Sequence, residues 1–233
     1  MTVESRVYSS WISEEVKLHL KDLLTNALKK DVGAYRETMI ALGDDLGSHI
    51  EHSLPKTGDV LFVTTVEDAD YLAKGVLDSL KLRDRTKVFC YWNERDKKLD
   101  TAPILSKYEE PLEKGISAVV ILKSVISGAC VVRTNLTEAL DKTSDSVPIF
   151  VLAPVMHKDA ERKLSAEFPK NISKRFIYIT CATDSEKNGE DIRPGIGGSI
   201  YELLGYDDKV QKNKSMPELI KKRSLDLYGQ KLG

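Results

Sequence analysis

A chain of 233 residues is long enough for one sizeable core, or for a core with an extension. Hydrophobic residues make up 41% and charged residues 30%, with a formal net charge of -1. This is the composition of a globular protein, and no bulk field draws it to nucleic acid or to a membrane surface. Its apolar runs are strand-sized, too short to span a bilayer, and the start MTVESRVYSSW lacks the apolar run of a signal peptide.

Residues 1–55 read as an N-terminal helical extension. Ser13 stands where a helix would open, Glu14 and Glu15 suit a first turn, and Val16, Leu20, Leu23, Leu24 and Leu28 follow at helical spacing. A break at Asp31-Val32-Gly33 precedes a second helical set, Tyr35, Met39, Leu42, Leu46 and Ile50.

Residues 56–206 read as an α/β core. Five apolar runs, 60–63, 88–92, 118–122, 149–152 and 176–181, lack clean alternation, as strands covered on both faces do. Segments at 68–80, 104–114, 131–141 and 157–168 have the length of crossover helices. The pattern predicts a mostly parallel five-stranded sheet with helices on both faces. Cys90, Cys130 and Cys181 fall in or beside apolar runs without zinc or CxxC spacing, which reads as buried reduced thiols in a cytoplasmic protein.

Residues 207–233 form a basic helical tail, which with the glycine-rich stretch before it would make a hood over the core. Its lysines and arginines suit a solvated helix face, or a contact with a partner or a phosphate.

Ligands of an open α/β sheet bind beyond the carboxyl ends of its strands. The most informative loop there follows the third run: Lys123-Ser124-Val125-Ile126-Ser127-Gly128-Ala129-Cys130, leading into a helix. Small residues let backbone N–H groups approach a phosphate, and a helix N-terminus adds a favourable dipole. Ser127, Gly128, Ala129 and Cys130 are the candidate phosphate cradle; an ordinary structural turn is the alternative. Glu67, Asp68 and Asp70 begin the first crossover helix, as caps or as ligands of a hydrated Mg²⁺. His157 stands at the same edge of the sheet, as a cap or as an acid/base. No GxGxxG or GxxxxGK[ST] motif points to a dinucleotide or P-loop site.

Here the chain resembles the type I phosphoribosyltransferases, and loosely the uracil phosphoribosyltransferases. In that family a hydrophobic strand leads through two acidic residues into a small-residue loop. The loop holds the 5-phosphate of phosphoribosyl pyrophosphate, and the acids contact the ribose hydroxyls. Ser127–Cys130 match the loop, whereas Lys123 and Ser124 stand at the acidic positions. The resemblance implies a pyrophosphate site at Thr64 and Thr65, with basic groups from Arg95, Lys97 and Lys98. It implies base binding at Gly195, Gly197 and Gly198, and Mg²⁺ if the protein is catalytic.

Lys123 then implies loss of the usual reaction or binding of a phosphate on a different nucleotide, unless acids are supplied from elsewhere in the chain. Two functions stay open. One is transfer of ribose 5-phosphate to a base. The other is a non-catalytic module that senses a nucleotide or docks a protein partner through the N-terminal helices or the tail, as effectors of bacterial defence systems do. The fold class often forms homodimers.

Overall fold

The computed structural model describes residues 6–96, 101–113, 115–144, 146–189 and 191–229. After a short strand β1 (Arg6–Tyr8), helices α1 (Glu14–Lys29) and α2 (Val32–Ile50) form an antiparallel pair. Ser13 caps α1 by accepting the Val16 N–H at 3.3 Å, and Asp31 caps α2 by accepting the Ala34 N–H at 3.0 Å. Lys30, with φ of 56°, turns the chain between them.

Strand β2 (Asp59–Thr65) leads directly into α3 (Val66–Asp68), a π-helical turn (Ala69–Ala73) and α4 (Lys74–Ser79). Then follow β3 (Thr86–Asn93), β4 (Ile104–Glu109), β5 (Ile116–Leu122), β6 (Val125–Ile126) and α5 (Cys130–Leu140). Next are β7 (Ile149–His157), α6 (Ala160–Ala166), α7 (Lys170–Ser173) and β8 (Phe176–Asp184). A hairpin of β9 (Glu186–Asn188) and β10 (Asp191–Arg193) precedes α8 (Ile200–Leu203), α9 (Lys209–Lys214) and α10 (Glu218–Gly229).

The sheet runs β1-β8-β7-β5-β2-β3-β4, with β6 paired to β7, eight strands among the described residues. Five of its six parallel members, β2, β3, β5, β7 and β8, are the five apolar runs of the sequence. The expectation of five strands in all is corrected to eight. β1 and β4 add antiparallel edges, and β6 is a two-residue pairing beyond β5. Segment 104–114, expected as a helix, holds β4. Its side chains are partly or fully exposed, so it has no apolar run to announce a strand. Every residue of β2 and β7 is buried, because both faces are covered.

Alternate side chains feed two apolar layers. Phe62, Val120 and Phe150 join Leu20, Leu42, Leu46 and Ile220 on one face; Val63, Val119 and Val151 join Val132, Leu136 and Leu164 on the other. On the first face α2 meets α4 almost backbone to backbone. A Cβ placed on Gly75 would lie 2.1 Å from the Ile40 carbonyl oxygen, and one on Gly43 would lie 2.3 Å from that of Leu72.

The C-terminal helices return to the β2–β3 side. Asp70 accepts the first N–H groups of α10, from Glu218 at 3.0 Å and Leu219 at 2.8 Å. Arg223 bonds both oxygens of buried Glu110 and the Thr86 carbonyl. Trp92 Nε1 donates to the Ser215 carbonyl at 2.9 Å. Among the described residues no helix is long and apolar enough to cross a membrane. Cys90, Cys130 and Cys181 are buried thiols.

Candidate functional site

The parallel strands stand in the order β3-β2-β5-β7-β8, and the chain reverses its direction across the sheet between β2 and β5. Ligands of such sheets lie in the crevice at that reversal, beyond the carboxyl ends of the two strands. There the residues after β2, Val66-Glu67-Asp68, face those after β5, Lys123-Ser124.

They meet in a dense polar cluster. Lys123 Nζ donates to Asp68 Oδ2 at 2.6 Å and to Glu67 Oε1 at 3.1 Å. Asp68 also accepts from Thr65 Oγ1 at 2.8 Å and from the Ser124 N–H at 3.3 Å. Glu67 is 3% exposed and Asp68 1%. Burial opposes the Lys123 charge, but the Asp68 and Glu67 carboxylates outweigh it and hold its pKa above the ordinary lysine value. Burial likewise disfavours the Glu67 charge, yet Lys123 and Lys212 hold that carboxyl below its ordinary range.

Lys212 comes from α9. It is 1% exposed, and its Nζ donates to the Asn93 carbonyl at 2.7 Å, lies 3.7 Å from Glu67 Oε2 and sits 5.1 Å from the centre of the Tyr201 ring. Glu67 Oε2 and Ser124 Oγ are buried without a hydrogen bond.

Above the cluster opens a cavity of about 220 Å³. Glu67 and Lys123 line its base; Ser127, Gly128, Cys130, Val131 and Val132 line one wall; Gly198, Ser199 and Tyr201 line another, with Arg95 and Asp191 also at its boundary. Burial first, and Glu67 second, push the Tyr201 phenol up to about 12. α5 begins at this wall with no side-chain cap, since Ala129 is its N-cap residue. A Cβ on Gly128 would meet nothing within 4 Å. The far side of α5 is pinned to β3 by a buried reciprocal amide pair, Asn93 Nδ2 to Asn135 Oδ1 at 2.7 Å and Asn135 Nδ2 to Asn93 Oδ1 at 3.0 Å.

Other sequence candidates are placed differently. Ala129 does not line the cavity, and its carbonyl accepts the Arg133 N–H at 2.7 Å. Thr64 and Thr65 are buried beneath the cluster; Thr64 Oγ1 donates to the Thr65 carbonyl at 3.3 Å and Thr65 Oγ1 to Asp68. Gly195 is engaged by the buried Arg6–Asp184 pair: its N–H donates to Asp184 Oδ2 at 2.8 Å and its carbonyl accepts from Arg6 at 2.6 Å. Gly197 lies against Ala27 of α1, and of the three late glycines Gly198 reaches the cavity. His157 accepts the Asp159 N–H on Nδ1 at 3.1 Å, leaving Nε2 to face the Ser185 carbonyl at 3.3 Å. Lys97 and Lys98 lie outside the described residues.

Glu67 and Asp68, in the first turn of α3, both hold Lys123. They do not fit Mg²⁺, because an ammonium already bridges them, and a magnesium ion demands near-octahedral oxygen ligation. Among the described residues no three His, Cys, Asp or Glu side chains are grouped to hold a metal. Sequence reading gave Lys212 no role, because a lysine in a basic tail looks the same whether solvated or buried.

No protein-family model matches the chain, and no curated protein matches it by sequence. Among solved structures it is similar to the AQ2163 protein of Aquifex aeolicus, 18% identical with a TM-score of 0.66, over 87% of this chain and 98% of that one. At that identity the likeness is one of fold. A hypoxanthine-guanine phosphoribosyltransferase of Bacillus anthracis overlaps 52% of this chain and 70% of its own at a TM-score of 0.39 and 7% identity. That of L. donovani overlaps 68% and 89% at a TM-score of 0.34 and 12% identity. Overlaps this shallow carry no argument about chemistry.

Proposed function

We propose that the cavity at the β2–β5 reversal binds a phosphorylated ligand of the phosphoribosyl or nucleotide class. The observation that carries this reading is the uncapped start of the eleven-residue helix α5, opening with Ser127 and Gly128 onto the cavity that also holds Lys123. Backbone N–H groups at such a start favour an anion through both hydrogen bonding and the helix dipole. Ser127 adds a hydroxyl, and Lys123, held in place by two carboxylates, adds an ammonium to the same cavity. Gly198 and Ser199 then face the remainder of the ligand across the cavity.

Ligand binding is the activity proposed. Transfer of ribose 5-phosphate with release of pyrophosphate is not part of it, since the Thr64 and Thr65 hydroxyls are spent on the Thr65 carbonyl and Asp68.

Calorimetric titration with phosphoribosyl pyrophosphate, ribose 5-phosphate and nucleoside monophosphates tests the reading. At least one should bind. Gly128→Leu, whose side chain grows into open space, should weaken that binding by roughly 10-fold or more, about 1.4 kcal/mol, with little change in thermal stability. Absence of binding across the panel sinks the proposal. A parallel assay for pyrophosphate release with a panel of bases decides whether transfer is to be added.

A further inference from the structure

Lys123 has a geometry that deepens this reading, on whose anionic ligand one part of the inference rests. An ammonium has three N–H donors and no acceptor. Asp68 at 2.6 Å and Glu67 at 3.1 Å take two of them, which leaves one, and the lysine lines the cavity. Two buried carboxylates below and an anionic ligand above are the surroundings in which a divalent cation bridges protein and phosphate oxygens. Asp68 is already engaged on both oxygens, Oδ2 by Thr65 and Lys123 and Oδ1 by the Ser124 N–H. Glu67 Oε2, buried and without a hydrogen bond, faces a second ammonium, that of Lys212, at 3.7 Å.

We propose that Lys123 is a tethered replacement for a divalent cation. It bridges the Glu67–Asp68 pair to the bound anion, so that the protein takes its ligand without magnesium. The replacement is covalent and cannot dissociate, so occupancy of the anion site should be indifferent to chelators.

Two measurements test this, one of them without any organic ligand. Mn²⁺ titrated into the full-length wild-type protein and followed by electron paramagnetic resonance should leave the free-ion signal unchanged up to about 1 mM, a concentration that fills most protein sites for such ions. Lys123→Ala should gain one Mn²⁺ site. Glu67→Gln in that background should remove it, and Lys123→Arg should not create it. A wild-type Mn²⁺ site that disappears in Glu67→Gln overturns the proposal, and does so even if Lys123→Ala fails to fold.

The second measurement is the wild-type affinity for ribose 5-phosphate in millimolar Mg²⁺ and in EDTA. The two values should agree within about twofold, a difference of about 0.4 kcal/mol. Binding that needs Mg²⁺ overturns the inference while leaving the proposed function standing. Failure of every phosphorylated ligand to bind ends the proposed function, and the Mn²⁺ titration still decides the role of Lys123.

Discussion

Glu67 concentrates the electrostatic tension of the molecule. A carboxyl whose pKa is depressed on folding contributes stability above its unfolded pKa, and loses that contribution as pH falls through the folded value. The wild-type protein should therefore lose urea resistance on acidification below about pH 4.3, the ordinary glutamate value. Glu67→Gln, with no proton to take up there, should show a shallower acid limb, so that the gap between the two urea midpoints narrows as pH falls. Parallel limbs would remove Glu67 from the account. The sequence shows Glu67, Asp68 and Lys123 as charges at the ends of two runs, and it marks Lys123 as a departure from the acidic pair of the family it resembles. It does not show that the two acids and the lysine answer one another. That pairing depends on β2 and β5 being neighbours, which is a property of strand order.

Among the elements, the α2–α4 contact has the least room. Helix propensity alone makes alanine better than glycine by about 1 kcal/mol. Gly75→Ala should nevertheless destabilise by about 2 kcal/mol, because its Cβ would meet the Ile40 carbonyl at 2.1 Å and one helix would have to move. Chemical denaturation checks it, and a stabilised variant would mean that the helices separate easily. Helical spacing exposed α1 and α2, unbroken apolar runs exposed five parallel strands that are covered on both faces, and segment length marked α5. The sequence reading missed β4, whose half-exposed side chains follow no period, and β1 and β6, whose three and two residues are too few to show one. The use of Gly43 and Gly75 as a seam becomes visible when the two helices lie side by side.

At the scale of the whole molecule, the segment from α9 to α10 is fastened to the core by polar contacts and by buried Ile220. Asp70 caps α10 from a distance, so Asp70→Ala should cost about 1 kcal/mol. The loss should appear as faster amide exchange in α10, with exchange in β2, β5 and β7 unchanged. Uniformly faster exchange would mean that the segment and the core unfold as one unit. The candidate cradle around Ser127 and Gly128 was legible because a strand, a small-residue turn and a helix follow one another in the chain. Lys212 was not, since nothing local separates it from the lysines beside it.

The union of Lys212 with Asn93, 119 residues earlier in the chain, also has a temporal side. A ribosome adding 5 to 20 residues each second takes roughly 6 to 24 s to travel that distance. Throughout that interval β2 and β3 are already synthesised, while the buried ammonium that faces Glu67 does not yet exist. The strands of the parallel sheet are thus all synthesised before the charge balance is complete, and between the synthesis of Lys123 and that of Lys212 only one of the two ammonium partners of Glu67 exists.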